Sequence, residues 1–477
     1  MTVPTFSSIS AVPPERDAWR AMFALAIGFF VSLLDQSMIA VAIPGIQHGL
    51  GASVNSVMWV SAIYLLAVVV PLLFTGRLGD IFTQKRVFQV GISLFGLGAL
   101  GCALAPNIGV LIAARGVQGL GASLQMPQSM AVINRVFARE RRGHALGMWG
   151  IIGSVASLAG PLVGGFVVGT FGWQAVFWVH VPFVILAVVL AQLWVPVLPT
   201  SARSIDVASV AVSFVALAAI VFGIQQGPEL GWPAWMWALL AAGVAAAVLF
   251  VRLQARAAKR GTEALVPLSL FKDRNYSAGS GAIVAMGFMA ASMMLPIMLW
   301  LQDVKGMGAG QAGMVVAPMA VISLLVSPAA GALADRVDPR RLATTGFLVL
   351  IATFVVSWLV MHLDLNPWWL CVPMVAQGIG QSLIWGSNAA TSMRDIPPAQ
   401  MGAASGVYNM SRQVGSVVGV AAVSAVMQSA DADVALANSL GVIVAMLVVG
   451  MVASLFFRDT LHTATGAAEP AQSGQRG

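Results

Sequence analysis

Charged residues are scarce in this sequence. Asp, Glu, Lys and Arg make up 9% of its 477 residues, whereas ordinary soluble domains carry roughly 25%. Hydrophobic side chains make up 58%, and the mean hydropathy is +0.87. So little charge excludes an ordinary soluble domain, because a soluble fold needs a charged surface. The composition predicts an all-α polytopic membrane protein, whose helices satisfy their own backbone hydrogen bonds inside the bilayer.

Cysteine and histidine are also rare. Cys102 and Cys371 both lie in apolar stretches, where a thiol serves as a small hydrophobic side chain. The five histidines are scattered, and no pair has the spacing of a metal site. The sequence also lacks the Gly-x-x-x-x-Gly-Lys loop of nucleotide-hydrolysing proteins. We therefore expect no disulfide scaffold, no metal, no cofactor and no enzymatic activity, and we expect the energy source to be an ion gradient.

Long apolar runs, by contrast, are abundant. A helix needs about 20 apolar residues to cross a bilayer, and the sequence contains fourteen such stretches. The predicted spans cover residues 20–44, 56–76, 87–106, 109–133, 144–169, 174–196, 205–225, 234–252, 277–301, 312–334, 342–362, 368–390, 403–427 and 438–458. No small-residue cleavage site ends the first stretch, which predicts an uncleaved span.

The basic residues are distributed unevenly between the predicted loops. They outnumber the acidic residues by 25 to 18, giving a net charge of +7, which could indicate a nucleic-acid partner. However, nearly all of them lie in alternate loops, and the opposite loops contain only Lys305. Because basic loops stay in the cytoplasm during insertion, this bias predicts a multi-pass protein with both termini cytoplasmic and no nucleic-acid partner.

The sequence resembles itself at an offset of 259 residues. Residues 117–124 align with 376–383, and residues 143–160 align with 402–419. An even number of spans separates the copies, so the halves share one orientation, and a substrate site is expected between them. The predicted organisation is an N-terminal segment 1–19, a six-helix bundle 20–196, an inserted helix pair with flanking loops 197–275, a second six-helix bundle 276–458 and a disordered tail 459–477.

One acidic residue interrupts the first span. A carboxylate near the centre of a membrane helix costs about 2.5–3.5 kcal/mol, so Asp35 needs a partner or a function. At 1.5 Å per residue, Asp35 lies roughly 13 Å and Arg115 roughly 9 Å from the outer ends of their spans. The two can therefore pair, and Gln118 shares the helix face of Arg115. A protonatable functional pair and a permanent structural ion pair are both compatible with this spacing.

Two loops carry a repeated signature. Residues 76–80 followed by 84–86, and residues 331–336 followed by 340–341, resemble the Gly-x-Leu-x-Asp-Arg-x-Gly-x-Arg/Lys motif of the major facilitator superfamily. The first copy departs from the motif at Ile81 and Thr83, where the family usually has Arg and Gly. The resemblance implies a role in conformational gating for Gly76, Asp80, Lys85, Arg86, Gly331, Asp335 and Arg336.

Four further stretches resemble one branch of that family, the fourteen-span drug/proton antiporters of the EmrB/QacA type. They are residues 34–44, 114–119, 153–165 and 172–182, the last with His180 where the family usually has Asn. The resemblance implies that Asp35 exchanges the proton, that Arg115 tunes its affinity and that Gln118 assists. It also implies an antiporter motif in the fifth span, consisting of Gly153, Gly160, Pro161, Gly164 and Gly165.

Polar and polarizable side chains in other spans are candidates for a substrate cavity. They are Gln36, Met294, Gln377, Gln381, Trp385, Asn409 and Arg412. Methionine fills irregular apolar pockets and aromatic faces attract cations, while glutamine and asparagine supply hydrogen bonds. Each of these residues could equally hold helices together, because neutral polar side chains commonly bridge membrane helices.

The resulting hypothesis is a proton-coupled multidrug efflux antiporter that exports amphipathic or cationic compounds by alternating access. We expect it to act as a monomer in the lipid bilayer, with small-molecule substrates and protons as its partners. An exporter of an endogenous metabolite, antibiotic or lipid intermediate on the same machinery is the alternative. A membrane sensor or intramembrane enzyme is disfavoured, because the sequence shows neither a signalling domain nor clustered catalytic side chains.

Overall fold

The computed structural model describes residues 14–137, 139–200, 206–257, 259, 264–334, 337–397, 400–428 and 432–458. Within these ranges the chain is helical and contains no β-strand. It divides into two compact units, residues 1–265 with 307–313 and residues 266–306 with 314–477. The predicted segment 1–19 lies largely outside the described residues, and the predicted tail 459–477 lies wholly outside them.

The first unit contains nine helices within its described residues. They are α1 (Glu15–Leu50), α2 (Val54–Phe82), α3 (Gln84–Ala103), α4 (Ile108–Val136), α5 (Arg139–Phe171), α6 (Gln174–Trp178), α7 (His180–Trp194), α8 (Val207–Gln226) and α9 (Ala234–Ala255). Helix α4 packs against α1, α2 and α3, while α1 also packs against α5 and α7. Helix α8 packs against α9 and α2, so the inserted pair rests on this unit.

The second unit is built in the same way. Its helices are α10 (Arg274–Ser292), α11 (Met294–Leu299), a π-helical turn (Trp300–Val304), most of α12 (Ala309–Ala334), α13 (Pro339–His362), α14 (Cys371–Met393), α15 (Met401–Met427) and α16 (Ala432–Ser454). Helix α10 packs against α14, α15 and α16, and α13 packs against α14 and α16.

Each of the fourteen predicted spans coincides with one helix or with consecutive helical segments. By length and composition, eleven helices of the described chain can cross a membrane. Helices α4, α5 and α14 are not among them, and α5 contributes only the shorter apolar segment Ala159–Phe171. Helix α4 carries Arg115, Gln118 and Gln125, and α14 carries Gln377, Gln381 and Asn388, which lower their hydropathy. The protein is thus an all-helical, multi-pass membrane protein.

Proline explains where several helices differ from the predicted spans. Helix α1 is an exception, because it continues without a break through Pro44 to Leu50, six residues past the predicted end. The sixth span is broken after Trp178, and the ninth after Ser292. Each break lies four residues before a proline, Pro182 and Pro296 respectively. Neither proline can donate to the carbonyl at that position, so the helix is interrupted there.

Candidate functional site

A buried ion pair joins α1 to α4. Arg115 Nη1 lies 2.6 Å from Asp35 Oδ2 and 2.9 Å from Asp35 Oδ1, so the predicted contact is present. The side chain of Asp35 is 0% exposed and that of Arg115 is 1% exposed. Two opposite charges at this distance, removed from water, attract one another far more strongly than on a surface. The pair therefore cross-links the two helices, although its functional role stays a prediction.

Neutral groups complete the hydrogen bonding of this pair. Gln118 Nε2 donates to Asp35 Oδ1 at 3.0 Å, and Gln118 Oε1 accepts from Arg115 Nη1 at 2.8 Å. Arg115 Nε donates to the carbonyl of Val60 on α2 at 3.1 Å. Three helices thus converge on one buried cluster, which satisfies the condition that a buried charge be both paired and hydrogen-bonded. The structure brings all three predicted proton-coupling residues together.

Aromatic rings cover the guanidinium. The Tyr64 ring lies 4.2 Å from Arg115 Cζ, and the Phe177 ring lies 5.9 Å away. A cation over an aromatic face is stabilised by the ring quadrupole, by about 2 kcal/mol when desolvated. The thiol of Cys102 lies 3.7 Å from Gln118 Oε1. This cover excludes water from the ion pair and adds contacts that sequence spacing did not reveal.

His180, the first residue of α7, also faces this cluster. Its side chain is 0% exposed, and its Nε2 lies 4.0 Å from Asp35 Oδ1. Neither ring nitrogen has a hydrogen-bond partner among the described residues. The Phe95 ring meets the imidazole edge-to-face at a centroid distance of 5.9 Å. His180 is therefore a buried polar side chain beside the predicted proton site.

Small residues allow the helices around the cluster to approach closely. A Cβ on Gly98 of α3 would lie 2.5 Å from the backbone nitrogen of Gln118, and one on Gly160 of α5 would lie 1.8 Å from Ser37 Oγ. In the same α5 motif, Gly153 and Gly164 lie in contact with α1. Gly165 and Pro161 approach the first residues of α12, which belong to the same unit. The predicted antiporter motif is thus a packing surface.

A second ion pair lies at the far ends of α2 and α4. Asp80 Oδ1 accepts from Arg135 Nη2 at 2.9 Å and from Gln84 Nε2 at 3.1 Å. Lys85 Nζ donates to the carbonyl of Gln192 at 2.7 Å, while Arg86 is exposed. Sequence analysis did not identify Arg135 as the partner of Asp80. Of the other predicted gating residues, Gly76 and Gly331 lie within α2 and α12, whereas Asp335 and Arg336 lie outside the described residues.

Thr83, between α2 and α3, has an unusual backbone conformation. Its φ is +76°, a region that favours glycine, which is the residue the signature usually has here. Its hydroxyl accepts from the backbone nitrogen of Arg86 at 3.4 Å and so caps α3. A β-branched residue in such a conformation stores backbone strain of about 1–3 kcal/mol. The loop keeps the geometry of the signature at an energetic cost.

A stripe of buried glutamines on α4 lies between the two ion pairs. Gln125 Nε2 donates to Ser32 Oγ at 2.5 Å, and Gln128 Nε2 donates to the carbonyl of Thr75 at 2.7 Å. Residues 115, 118, 125, 128 and 135 follow helical spacing, which puts them along one side of α4. These side chains bond to α1 or α2, so a movement of α4 would displace both ion pairs.

The substrate-cavity candidates are more dispersed. In the first unit, Gln36 is half-buried and its Nε2 lacks a partner among the described residues. The others lie in the second unit, where Gln377 Nε2 contacts Met293 Sδ and Asn409 bonds its own helix at Ser405. Met294 is buried, and Gln381, Trp385 and Arg412 are half-buried.

The described residues of the second unit contain no equivalent of the buried ion pair. At the repeat offset, Gln118 corresponds to Gln377, Asp35 to Met294 and Arg115 to Met374. Met294 is 9% exposed and Met374 is 0% exposed. Arg412 of α15 has no acidic partner among the described residues of this unit. Among the described residues the charged buried cluster therefore belongs to the first unit, and the second unit offers methionines, amides and the half-buried Arg412.

Comparisons with known proteins show which family the chain belongs to. A family model described as Major Facilitator Superfamily matches residues 25–209 and 204–420. The chain is 39% identical to an uncharacterized MFS-type transporter of Mycobacterium tuberculosis, over 87% of this chain and 71% of that protein. It is 32% identical to a probable actinorhodin transporter of Streptomyces coelicolor, over 86% and 72% of the two chains.

Two further comparisons agree with these. The chain is 30% identical to a tetracenomycin C resistance and export protein of Streptomyces glaucescens, over 87% of this chain and 77% of that protein. Its fold resembles a crystal structure of a peptide transporter, with a TM-score of 0.68, 15% identity and coverage of 91% and 93%. The relatives and structural neighbours are transporters of small molecules rather than enzymes. The chain belongs to the Major Facilitator Superfamily.

Proposed function

We propose that this protein is a proton-coupled efflux antiporter that exports amphipathic or cationic compounds by alternating access. The observation that carries the proposal is the fully buried cluster of Asp35, Arg115 and Gln118 within a major facilitator chain. Ionisable residues inside membrane spans are costly and mark ion pathways. A carboxylate that can gain and lose a proton, beside a permanent cation, is the kind of group that couples a proton gradient to a conformational change.

The proposed mechanism follows from the charges of the cluster. With Asp35 ionised, the pair is neutral overall and holds α1 to α4. Protonation of Asp35 cancels the carboxylate charge and leaves the guanidinium of Arg115 with only Gln118, the Val60 carbonyl and aromatic faces. A buried charge that loses its partner is strongly destabilised, so the state with Asp35 protonated favours a rearranged α1–α4 contact. Substrate and proton would then be released on opposite sides in alternation.

The ion pair between Asp80 and Arg135 would act as a latch for one of the two open states. Asp80 is on α2 and Arg135 is at the end of α4, the helix that also carries Arg115. A shift of α4 that follows protonation of Asp35 would therefore strain or release this pair. The energy needed is small, because a partly exposed ion pair contributes only about 0.2–1 kcal/mol.

We further propose the topology that the loop charges favour, with fourteen spans and both termini in the cytoplasm. We also propose that the protein acts as a monomer in the inner membrane of a bacterial cell. This arrangement is that of the EmrB/QacA type of drug/proton antiporter. The coincidence of each predicted span with helical segments supports it, as does the resemblance of relatives that bear names of resistance and export proteins.

A second candidate cargo is an endogenous metabolite or antibiotic with an anionic group. Arg412 favours it, because a half-buried arginine without an acidic partner can bind a carboxylate or phenolate in a bidentate manner. Relatives named as a probable actinorhodin transporter and a tetracenomycin C resistance and export protein are consistent with export of a particular metabolite. Arg412→Gln would then lower transport of acidic substrates at least tenfold while transport of cationic dyes is kept.

The test of the proposed function is transport by the purified protein in proteoliposomes. A panel of cationic, neutral and anionic amphipathic compounds is offered with an imposed pH gradient, with and without a proton ionophore. The proposal expects uphill movement of at least one compound that collapses when the ionophore is added, and proton flow in the opposite direction. Transport that proceeds equally without a pH gradient would refute proton antiport.

A further inference from the structure

His180 is a buried imidazole that the mechanism above leaves unused. It is 0% exposed, and neither Nδ1 nor Nε2 is hydrogen-bonded within the part of the chain that the structure describes. An unsatisfied buried polar group costs about 1–3 kcal/mol. An apolar side chain would fill the same space without that cost, so packing alone does not explain why a histidine is present here.

The surroundings of His180 restrict its partners. Helix α7 packs against α1, α3 and α6. From α1 it faces Asp35, whose Oδ1 lies 4.0 Å from Nε2. From α3 it meets the Phe95 ring, and from α6 the neighbouring backbone of Val176 and Phe177. Beyond Asp35, the charged group acting on it is Arg115 of α4. Asp35 is therefore the acidic side chain that faces Nε2.

The distance between His180 Nε2 and Asp35 Oδ1 allows a proton to pass between them after a small movement. An N–H···O hydrogen bond spans 2.7–3.2 Å, so a shift of about 1 Å would join Nε2 to Oδ1. That shift becomes favourable when the imidazole carries a proton, since the resulting cation is attracted to the Asp35 carboxylate and competes with Arg115 for it. Histidine is the side chain whose ordinary titration falls nearest neutral pH. Its imidazolium form can therefore take the place of Arg115 beside the carboxylate, but only while the ring is protonated.

We propose that His180 is a second proton-binding residue of the site, which takes up a proton and passes it to Asp35. This inference rests on the proposed function. In the step, the Nε2–H bond of the imidazolium breaks and an Oδ1–H bond forms, leaving a neutral imidazole and a neutral carboxylic acid. The proton originates in the aqueous phase, and no oxidant or other reactant is required. His180 thus gives the first unit two proton positions instead of one.

The decisive variants are His180→Asn and His180→Gln. Both amides keep a donor and an acceptor but cannot carry a proton, so they separate proton exchange from simple hydrogen bonding. His362→Asn is the matched control, because His362 stacks on Trp358 in the second unit, at a centroid distance of 4.8 Å. Transport driven by a pH gradient is measured in proteoliposomes across acidic and neutral pH, and thermal unfolding in detergent reports on folding.

The proposal expects both His180 variants to transport at least tenfold more slowly and to lose the part of the pH dependence of the rate that the imidazole causes. The His362 variant keeps the wild-type profile. Two results would overturn the proposal: profiles that superimpose on the wild type, or a lower rate with an unchanged profile shape, which indicates a structural role. If transport by the wild type does not depend on the pH gradient, the proposed function itself fails. If the wild type depends on the gradient and the His180 variants behave in the same way, this inference alone fails.

A second measurement keeps the inference testable if neither variant folds. Wild-type protein with ring-¹⁵N-labelled histidine is followed by difference infrared spectroscopy as substrate is added. The proposal expects an isotope-sensitive imidazole band that changes on substrate binding and is absent when Asp35→Asn protein is used. A difference spectrum without any isotope-sensitive imidazole band would contradict it.

Discussion

Asp35 of α1 and Arg115 of α4 form an ion pair with 2.6 Å between Oδ2 and Nη1, and both side chains are at most 1% exposed. Buried pairs of this kind are costly to assemble, because each charge loses its hydration. Gln118, the Val60 carbonyl and the Tyr64 ring compensate for part of that loss. The pair is therefore a contact whose strength depends on one proton.

Removal of one member of the pair should be more damaging than removal of both. Arg115→Gln leaves an unpaired carboxylate and is expected to lower the free energy of unfolding by about 3–5 kcal/mol. In the double variant Asp35→Asn/Arg115→Gln, no charge remains and much of that loss should be recovered. Unfolding in a single detergent, followed by tryptophan fluorescence, measures both. A double variant less stable than Arg115→Gln would contradict the pairing.

The latch between α2 and α4 should affect transport more than stability. Asp80→Asn and Arg135→Gln each remove the 2.9 Å contact, and each is expected to reduce efflux several-fold. Their combination should be no worse than either alone, since both act on the same pair. Arg141→Gln, which breaks the exposed pair of Arg141 with Glu15, is the control and should leave efflux unchanged. Additive losses in the double variant would count against a latch.

The strained conformation of Thr83 predicts that two substitutions at this position differ in stability. Thr83→Gly loses the α3 cap, worth about 1 kcal/mol, but relieves the strain at φ +76°. Thr83→Ala loses the cap and keeps most of the strain. The glycine variant should therefore be more stable than the alanine variant by about 1 kcal/mol or more, measured by thermal unfolding. Equal stability of the two variants would indicate that the loop carries no strain.

The contact between α1 and α5 should tolerate no added carbon at Gly160. A Cβ there would lie 1.8 Å from Ser37 Oγ and 2.3 Å from Ser37 Cβ, so Gly160→Ala is expected to cost about 1–3 kcal/mol and to abolish transport. Ser37→Gly removes both atoms and should restore part of the loss in the double variant. Gly406→Ala, which meets nothing within 4 Å, is the control. Wild-type efflux by Gly160→Ala would exclude this packing role.

The sequence predicts well how deep a residue lies in the membrane and which residues share one face of a helix. These two features determine much of the fold. Apolar runs located the helical segments, and helical rise placed Asp35 and Arg115 within reach of each other. The spacing of three residues placed Gln118 beside Arg115. These features depend on distance along one helix, which is encoded locally.

Contacts that depend on how helices are rotated against one another were missed. Val60 and Tyr64 lie on α2 and His180 lies on α7, and their approach to the ion pair depends on how these helices pack, which no local sequence pattern shows. Arg135 lies beyond residue 133, the predicted end of the fourth span, and so was expected in a loop. Helix α4 instead continues to Val136, which puts Arg135 beside Asp80. The break in the sixth span, which His180 follows, could have been found from Pro182, since proline disrupts the bond to the carbonyl four residues earlier.

The most direct test of the central claim uses Asp35→Asn in proteoliposomes. The amide is close in size to the carboxylate and can still accept from Arg115, but it cannot exchange a proton. We expect uphill transport driven by a pH gradient to vanish, while exchange of labelled for unlabelled substrate without a gradient continues at a rate near that of the wild type. Uphill, gradient-driven transport at the wild-type rate by Asp35→Asn would contradict the assignment of Asp35 as the proton-coupling residue.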